Sequence, residues 1–268
     1  MSLETILMGI LQGLLEWLPI SSQGNLILLM VSVFGMNEAE ALSLSVYLHA
    51  GTLLSALVYF RRTFWNLLKA LPNYRFESLN SKNKENSLIT FLVLSTILTG
   101  IVGYPIFRFA TSIATLGSIF FMLIGVSLIL TGIIQKRIRK LGTRPIYDAN
   151  LTDSLILGVI QGFSAFPGIS RSGITLSFLL FRGFNGESAL KLSFLMSVPA
   201  VLAAELGLNL IHGLAAPNFW DIAAGCLSSF IVGIISIDML LKIARKINFW
   251  IFCIIIGMLT IISSLSPS

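Results

Sequence analysis

The sequence predicts an all-α polytopic membrane protein: an inverted-topology repeat in which each half is a re-entrant helical hairpin plus three transmembrane helices. Three observations predict it. The 268 residues are 55% hydrophobic and only 11% charged, with a mean hydropathy of +0.89, whereas soluble domains carry about 25% charged residues. Apolar stretches near the roughly 20 residues that cross about 30 Å of hydrocarbon recur along the whole chain. The run G-I-L-Q-G-L-L-E-W-L-P-I-S-S-Q-G-N from Gly9 is echoed at a constant offset of 149 by G-V-I-Q-G-F-S-A-F-P-G-I-S-R-S-G-I from Gly158. Glycine, proline and serine interrupting apolar segments at corresponding points of two halves point to a membrane site at a repeat interface.

Six full spans are expected at roughly 41–60, 87–107, 113–134, 187–211, 219–241 and 249–266. Two further apolar regions, about 4–34 and 151–181, break near their middles at Pro19-Ile20-Ser21-Ser22 and Pro167-Gly168-Ile169-Ser170. At about 1.5 Å per residue each region exceeds one crossing while each arm falls short of one, which favours a hairpin that enters and leaves on the same side. The echo continues beyond the hairpins, where A-L-S-L-S-V-Y-L-H-A-G from Ala41 resembles A-L-K-L-S-F-L-M-S-V-P from Ala189. The first repeat is therefore 1–140 and the inverted second repeat 141–268, together one integrated membrane domain. The stretch 61–86 is expected to be the only long polar loop, with Trp65, Leu67 and Leu68 along the membrane interface.

The basic residues test this topology. With two hairpins, one side receives Arg61, Arg62, Lys69, Arg75, Lys82, Lys84, Lys136, Arg137, Arg139, Lys140, Arg144, Arg182, Lys191, Lys242, Arg245 and Lys246. The other side receives Arg108, and Arg171 lies within the second hairpin. Such a bias places the charged side in the cytoplasm and both termini outside, in a plasma membrane. The net charge of +6 is thus a topology signal in short loops rather than a nucleic-acid stripe. Glu4 and Glu16 stand where a signal peptide would have a basic region and a clean apolar core, so the first segment is read as structure. Cys226 and Cys253 read as buried thiols behaving as small hydrophobes, not as a metal site.

The chemistry is expected in the two breaks. A helix broken inside the bilayer frees backbone N–H groups that are costly unless paired. Ser21 and Ser22 stand before Gly24–Phe34, and Ser170 and Ser172 before Gly173–Phe181, well placed to cap the second arms. Two helix N-termini facing one cavity make an anion site. Arg171 fits it, because an intramembrane guanidinium marks a functional site by default and its fork matches phosphate oxygens. A structural pair between Arg171 and Glu16 is compatible with that reading. Glu16 has Ala165 as its repeat counterpart and Arg171 has Ser22, so the halves share a scaffold but differ in chemistry. Gln12, one turn before Glu16, either orients the carboxylate, ligates a cation or bonds a neighbouring helix.

These motifs resemble the bacitracin-resistance type undecaprenyl-diphosphate phosphatases. The matching residues are Gln12-x-x-x-Glu16, Pro19-Ile20-Ser21-Ser22-Gln23-Gly24-Asn25 and Pro167-Gly168-Ile169-Ser170-Arg171-Ser172-Gly173-Ile174-Thr175. The likeness extends to S-V-Y-L-H-A-G-T-L-L around His49 and S-F-L-M-S-V-P-A around Pro199. Two departures stand out: Gln12 leads the first motif where glutamate is the other choice, and Asn25 stands where the family usually has histidine. His49 is the nearest substitute by sequence, and either points into the site or is satisfied by helix packing.

The resemblance implies hydrolysis of a membrane polyprenyl diphosphate, undecaprenyl diphosphate first among them, recycling a lipid carrier for cell-envelope glycan synthesis. Glu16, Ser22 and Arg171 would be catalytic. Ser21, Ser170, Arg171, Ser172, Gly173 and Thr175 would bind phosphate, and Gln12, Asn25 and His49 would support them. Either Ser22 attacks, with Glu16 as its base, or a water activated by Glu16 does. A divalent cation, Mg or Ca, on Glu16 and Gln12 is a further expectation, and no organic cofactor is expected. The partners are the lipid substrate and the bilayer; a homodimer stays open. The alternative function is a transporter or flippase for a phosphate-bearing lipid, because inverted repeats with re-entrant hairpins are also transporter architecture. Of the other acids, Glu205 and Asp238 read as solvated or paired near helix ends, and Glu38 and Glu187 as favouring helix N-termini.

Overall fold

A computed structural model describes residues 3–74, 84–113, 118–136, 142–212, 218–243 and 249–265. The described residues are helical apart from short connections. The first broken region gives α1 (Leu3–Leu15) and α2 (Ser22–Ser32), followed by α3 (Glu38–Tyr59), α4 (Arg61–Ala70), α5 (Lys84–Ile113) and α6 (Ser118–Lys136). The second gives α7 (Leu151–Phe163) and α8 (Arg171–Phe181), followed by α9 (Gly186–His212), α10 (Phe219–Ile243) and α11 (Phe249–Leu265). Among the described residues five helices, α3, α5, α6, α9 and α10, are long and apolar enough to cross a membrane. The sixth expected span, 249–266, is the shorter apolar helix α11 of 17 residues.

Local chemistry sets several helix starts. Asn37 accepts from Glu40 N at 2.8 Å and caps α3, and Asn150 forms a reciprocal capping box with Asp153 on α7. Glu38 and Glu187 sit in the first turns of α3 and α9, as expected for acids at the positive end of a helix. α5 continues through Pro105 to 30 residues, well beyond the expected 87–107. The expected polar loop is not a loop at its start: 61–70 is the amphipathic helix α4. Trp65 and Leu68 are exposed on it, but Leu67 is buried in the core, a correction forced by the helical period that turns 67 inward. Arg75, Lys82, Arg137, Arg139, Lys140, Arg245 and Lys246, which carry part of the charge bias, lie outside the described residues. So do the side chains of Glu205 and His212.

Close packing ties the short arms to the long helices. A Cβ on Gly13 would lie 2.8 Å from Gly233 N and Ser229 O of α10, and one on Gly158 would lie 2.7 Å from Ser95 O of α5. Small residues let the backbones approach this closely, the usual basis of helix association in lipid. α6 packs on α11 in the same way, with a Cβ on Gly125 and one on Gly257 each 2.7 Å from the other's carbonyl oxygen. At the 142–153 end, buried Asp153 accepts from Arg144 Nη2 at 2.7 Å and Arg182 Nε at 2.6 Å, fastening the start of α7 to the end of α8. Asp238 is half-buried and paired, accepting from Lys242 at 2.6 Å and Tyr59 at 3.3 Å.

Candidate active site

The two breaks meet in the interior. Ser21 takes a left-handed backbone conformation (φ 59°), caps α2 by accepting from Gly24 N at 3.4 Å, and accepts from Gly168 N of the other break at 3.2 Å. Gly24 and Gly168 abut, since a Cβ at Gly24 would come within 2.9 Å of Gly168 N. Gly168 has φ +97°, a conformation that favours glycine. Ser170 caps α8 by accepting from Gly173 N at 3.0 Å. Helix α2 thus starts at Ser22 and α8 at Arg171, two residues earlier than expected, because the first serine of each motif is the cap and the next residue already lies in the first turn.

Around Glu16, buried at 5% exposure, four side chains converge. Its Oε1 accepts from Arg171 Nη2. Its Oε2 accepts from Ser22 Oγ at 2.5 Å and Gln12 Nε2 at 2.9 Å, and lies 3.2 Å from His49 Nε2. His49 Nδ1 is 2.5 Å from Ser45 O, so Nδ1 carries a proton donated to that carbonyl. Nε2 then donates to Glu16 when the ring holds its second proton. Glu16, Ser22, His49 and Arg171 line one cavity of about 260 Å³ together with Ser21, Ser170 and Ser172. His49 thus points one ring nitrogen at Glu16 within the cavity while the other is satisfied by its own helix.

The remaining expected site residues divide by what their polar atoms do. Ser172 Oγ donates to Leu18 O at 2.9 Å, so its hydroxyl proton serves the first break while the residue lines the cavity. Gly173 and Thr175 are not on the cavity wall. Gly173 N is taken by the Ser170 cap, and Thr175 Oγ1 donates to Arg171 O at 2.7 Å and pairs with Ser193 Oγ at 2.7 Å. Asn25 is off the wall too; its Nδ2 donates to Ile20 O at 2.7 Å, a carbonyl that the break would leave open, and to Ser21 O at 2.8 Å, which also accepts from Asn25 N.

Sequence reasoning missed part of the wall. Thr96, Thr99, Gly100, Gly103, Tyr104 and Phe107 of α5 lie along one face of that helix, and Ala200, Ala203, Ala204 and Gly207 of α9 also line the cavity. Gln161, the repeat counterpart of Gln12, also lines the cavity. It also missed Gln135 of α6, whose Nε2 donates to Pro19 O and braces the first break. The repeat alignment was the one signal that marked Gln161; nothing local marked the α5 face or Gln135.

The donor set gives a limited fit to a divalent cation. Glu16 supplies a carboxylate and Gln12 Oε1 is a buried oxygen without a hydrogen-bond partner, whereas hard cations take six or more oxygens. Among the described residues there is no cluster of three or more His, Cys, Asp or Glu able to hold a metal. Gln12 is not on the cavity wall, so Glu16 is the one of the two that could share a cation with a ligand's own phosphates, and it cannot cage one.

Comparison with known proteins adds to this geometry. The sequence profile of the family described as "Bacitracin resistance protein BacA" matches residues 5–262. A protein of Methanococcoides burtonii named undecaprenyl-diphosphatase is 46% identical over 264 residues, 97% of each chain. One of that name from Methanothrix thermoacetophila is 38% identical over 99% of this chain and 98% of its own. Another from Haloarcula marismortui is 36% identical over 98% and 97%.

Proposed function

The chain belongs to the bacitracin resistance protein BacA family, and we propose that it is an undecaprenyl-diphosphatase, cleaving the membrane-held diphosphate to the monophosphate and inorganic phosphate. The name its relatives carry supports the activity. Among the side chains, one observation supports it above the rest: a buried carboxylate bonded to both a serine hydroxyl and an arginine at the junction of two helix N-termini. Arg171 Nη1 is buried with no hydrogen-bond partner, and a phosphate oxygen would satisfy it through the guanidinium fork. The N-termini of α2 and α8 add favourable potential for charge developing on phosphorus.

In this reading Ser22 Oγ attacks the terminal phosphorus and its proton passes to Glu16. The bond to the bridging oxygen breaks with its electron pair on the departing lipid monophosphate, and Ser22 becomes transiently phosphorylated. Arg171 holds the transferring phosphoryl group, while His49 and Gln12 fix the carboxylate that serves as base. A divalent cation bound by the diphosphate would find Glu16 as its protein ligand, with Gln12 behind that carboxylate, and would supply charge neutralisation. The apolar face of Gly100, Gly103, Tyr104 and Phe107 suits the isoprenoid tail. The flippase alternative is not carried forward, since nothing in the comparisons favours it.

The paired packing of α1 on α10 and of α7 on α5 supports the inverted repeat, with α1–α2 and α7–α8 as its re-entrant hairpins. With that topology the charge bias puts both termini outside the plasma membrane. The deciding experiment is inorganic phosphate release from undecaprenyl diphosphate by the purified full chain. Release by the wild type that Glu16→Gln abolishes is expected; a wild type that releases none sinks the reading.

A further inference from the structure

Three of the buried polar atoms without a partner belong to residues on the cavity wall: Arg171 Nη1, Gln161 Oε1 and Thr96 Oγ1. They differ in kind. Arg171 offers a donor, which suits an anion. Gln161 offers an acceptor, which an anion would repel. Its orientation follows from its neighbours: Thr99 Oγ1 donates its proton to backbone carbonyls, Ser95 O at 2.8 Å or Gly158 O at 3.1 Å. Thr99 can then only accept from Gln161, which donates through Nε2 at 3.1 Å. The amide oxygen is left over, in a residue only 1% exposed. A buried acceptor left unpaired is costly, so it calls for a hydrogen-bond donor. Thr96, three residues before Thr99 on the same face of α5, brings a hydroxyl that also accepts.

We propose that Gln161 and Thr96 hold the water that completes hydrolysis. The inference rests on the phosphatase reading and adds residues to it. A water has two O–H donors and serves Gln161 Oε1 and Thr96 Oγ1 together, which leaves a lone pair free to attack. Its oxygen bonds to the phosphorus carried on Ser22 as the bond from phosphorus to Oγ breaks. Oγ keeps the electron pair and takes back the proton stored on Glu16. One proton of the water stays on the released phosphate and the other leaves to solvent. The two repeats thereby divide the work. Gln12 and Gln161 each donate through Nε2 and keep Oε1 unpaired, but Gln161, with Ala165 in place of an acid, lies on the cavity wall where a water can reach it, and Gln12 does not.

The test is product partition by the full-length enzyme on undecaprenyl diphosphate in water–methanol mixtures, scoring inorganic phosphate against methyl phosphate. Methanol has one O–H and can serve only one of the two acceptors, so the wild type should favour water. Gln161→Leu and Thr96→Val should each raise the methyl phosphate to phosphate ratio several-fold while lowering kcat for hydrolysis about 10-fold or more. Thr96→Val keeps the shape of a side chain whose hydroxyl has no protein partner, so it reads the idea even if Gln161→Leu fails to fold. An unchanged ratio in Thr96→Val, whatever the rate, overturns the assignment, because a merely structural defect slows both products alike. A wild type that releases no phosphate at all overturns the phosphatase reading instead, a separate outcome.

Discussion

Ser22 Oγ reaches Glu16 Oε2 directly, across 2.5 Å, with no imidazole between them. In a serine–histidine–acid array the imidazole touches the hydroxyl and the carboxylate stands behind it. Here the carboxylate touches the hydroxyl, and His49 Nε2 approaches that same oxygen, Oε2, at 3.2 Å. Glu16 is therefore the group within reach of the serine proton. Glu16→Gln keeps the shape but replaces one accepting oxygen with a donating NH2 and removes the base, and should lower kcat by at least roughly 100-fold, the low end for loss of a positioned general base. Ser22→Ala should be as severe if Ser22 attacks. A Ser22→Ala enzyme within a few-fold of wild type would transfer the role of nucleophile to water.

Arg171 is tied to Glu16 in the resting site and has a second nitrogen left over. Removing one partner of a buried ion pair typically costs about 3–5 kcal/mol. Arg171→Ala should therefore lower both activity and the detergent melting temperature. Adding Glu16→Gln should restore much of the melting temperature but none of the activity. Arg171→Lys keeps the charge and loses the fork, so turnover should fall with little change in melting. Wild-type turnover by Arg171→Lys would reassign this residue as purely structural.

What could be read from the sequence depended on how each feature is encoded. The spans are written in composition, and the breaks in Pro19, Pro167 and the serines that follow, so both were legible. The pairing of Glu16 with Arg171 was legible as well, because each is an ionisable residue within an apolar arm and has lost its counterpart in the other repeat. The burial of Leu67 was not, since a short amphipathic helix and a polar loop share a composition. Nor was the separation of Thr175 and Asn25 from the cavity, which depends on which way the first turn of each second arm faces. The α5 wall was invisible for a related reason: threonine, glycine and aromatic residues at helical spacing look the same against lipid, against a neighbour or along a cavity.

On the proposed reading, the limited oxygen set at Glu16 would make any cation dependence a property of the enzyme–substrate complex rather than of the resting protein. Chelation should reduce phosphate release, and added Mg or Ca should restore it. Melting of the substrate-free protein should be unaffected by either treatment. A chelator that lowers the melting temperature would instead indicate a resident ion.

The topology is testable on a background lacking Cys226 and Cys253. Single cysteines at Ser81 and Thr143 should be labelled from the cytoplasm and one at Ala215 from outside. Three crossings separate Ser81 from Ala215 if the second broken region is a hairpin, and four if it spans. Labelling of both from the same side would break the hairpin model.

Asn25 and His49 together decide what replaces the histidine usual in the first motif. Asn25 donates to Ile20 O and Ser21 O and is off the cavity wall, whereas His49 comes from α3 and faces Glu16 from within it. Asn25→Ala takes the side-chain donor from Ile20 O, while Ser21 O keeps the backbone N–H of residue 25, and should lower the melting temperature, with activity falling in proportion to the folded fraction. His49→Ala should leave the fold largely intact, because the partner it deserts still accepts from Arg171, Ser22 and Gln12. Its kcat should fall by about 100-fold if the imidazole carries protons to and from Glu16. His49→Gln can still donate to Glu16 but cannot carry a proton, so it separates the two roles. Recovery of activity by His49→Gln would limit His49 to holding the carboxylate in place, and no recovery would make it the proton relay. Asn25→His should not rescue His49→Ala, since a side chain at 25 is directed to the backbone of the break. Rescue would mean that position 25 reaches the cavity after all.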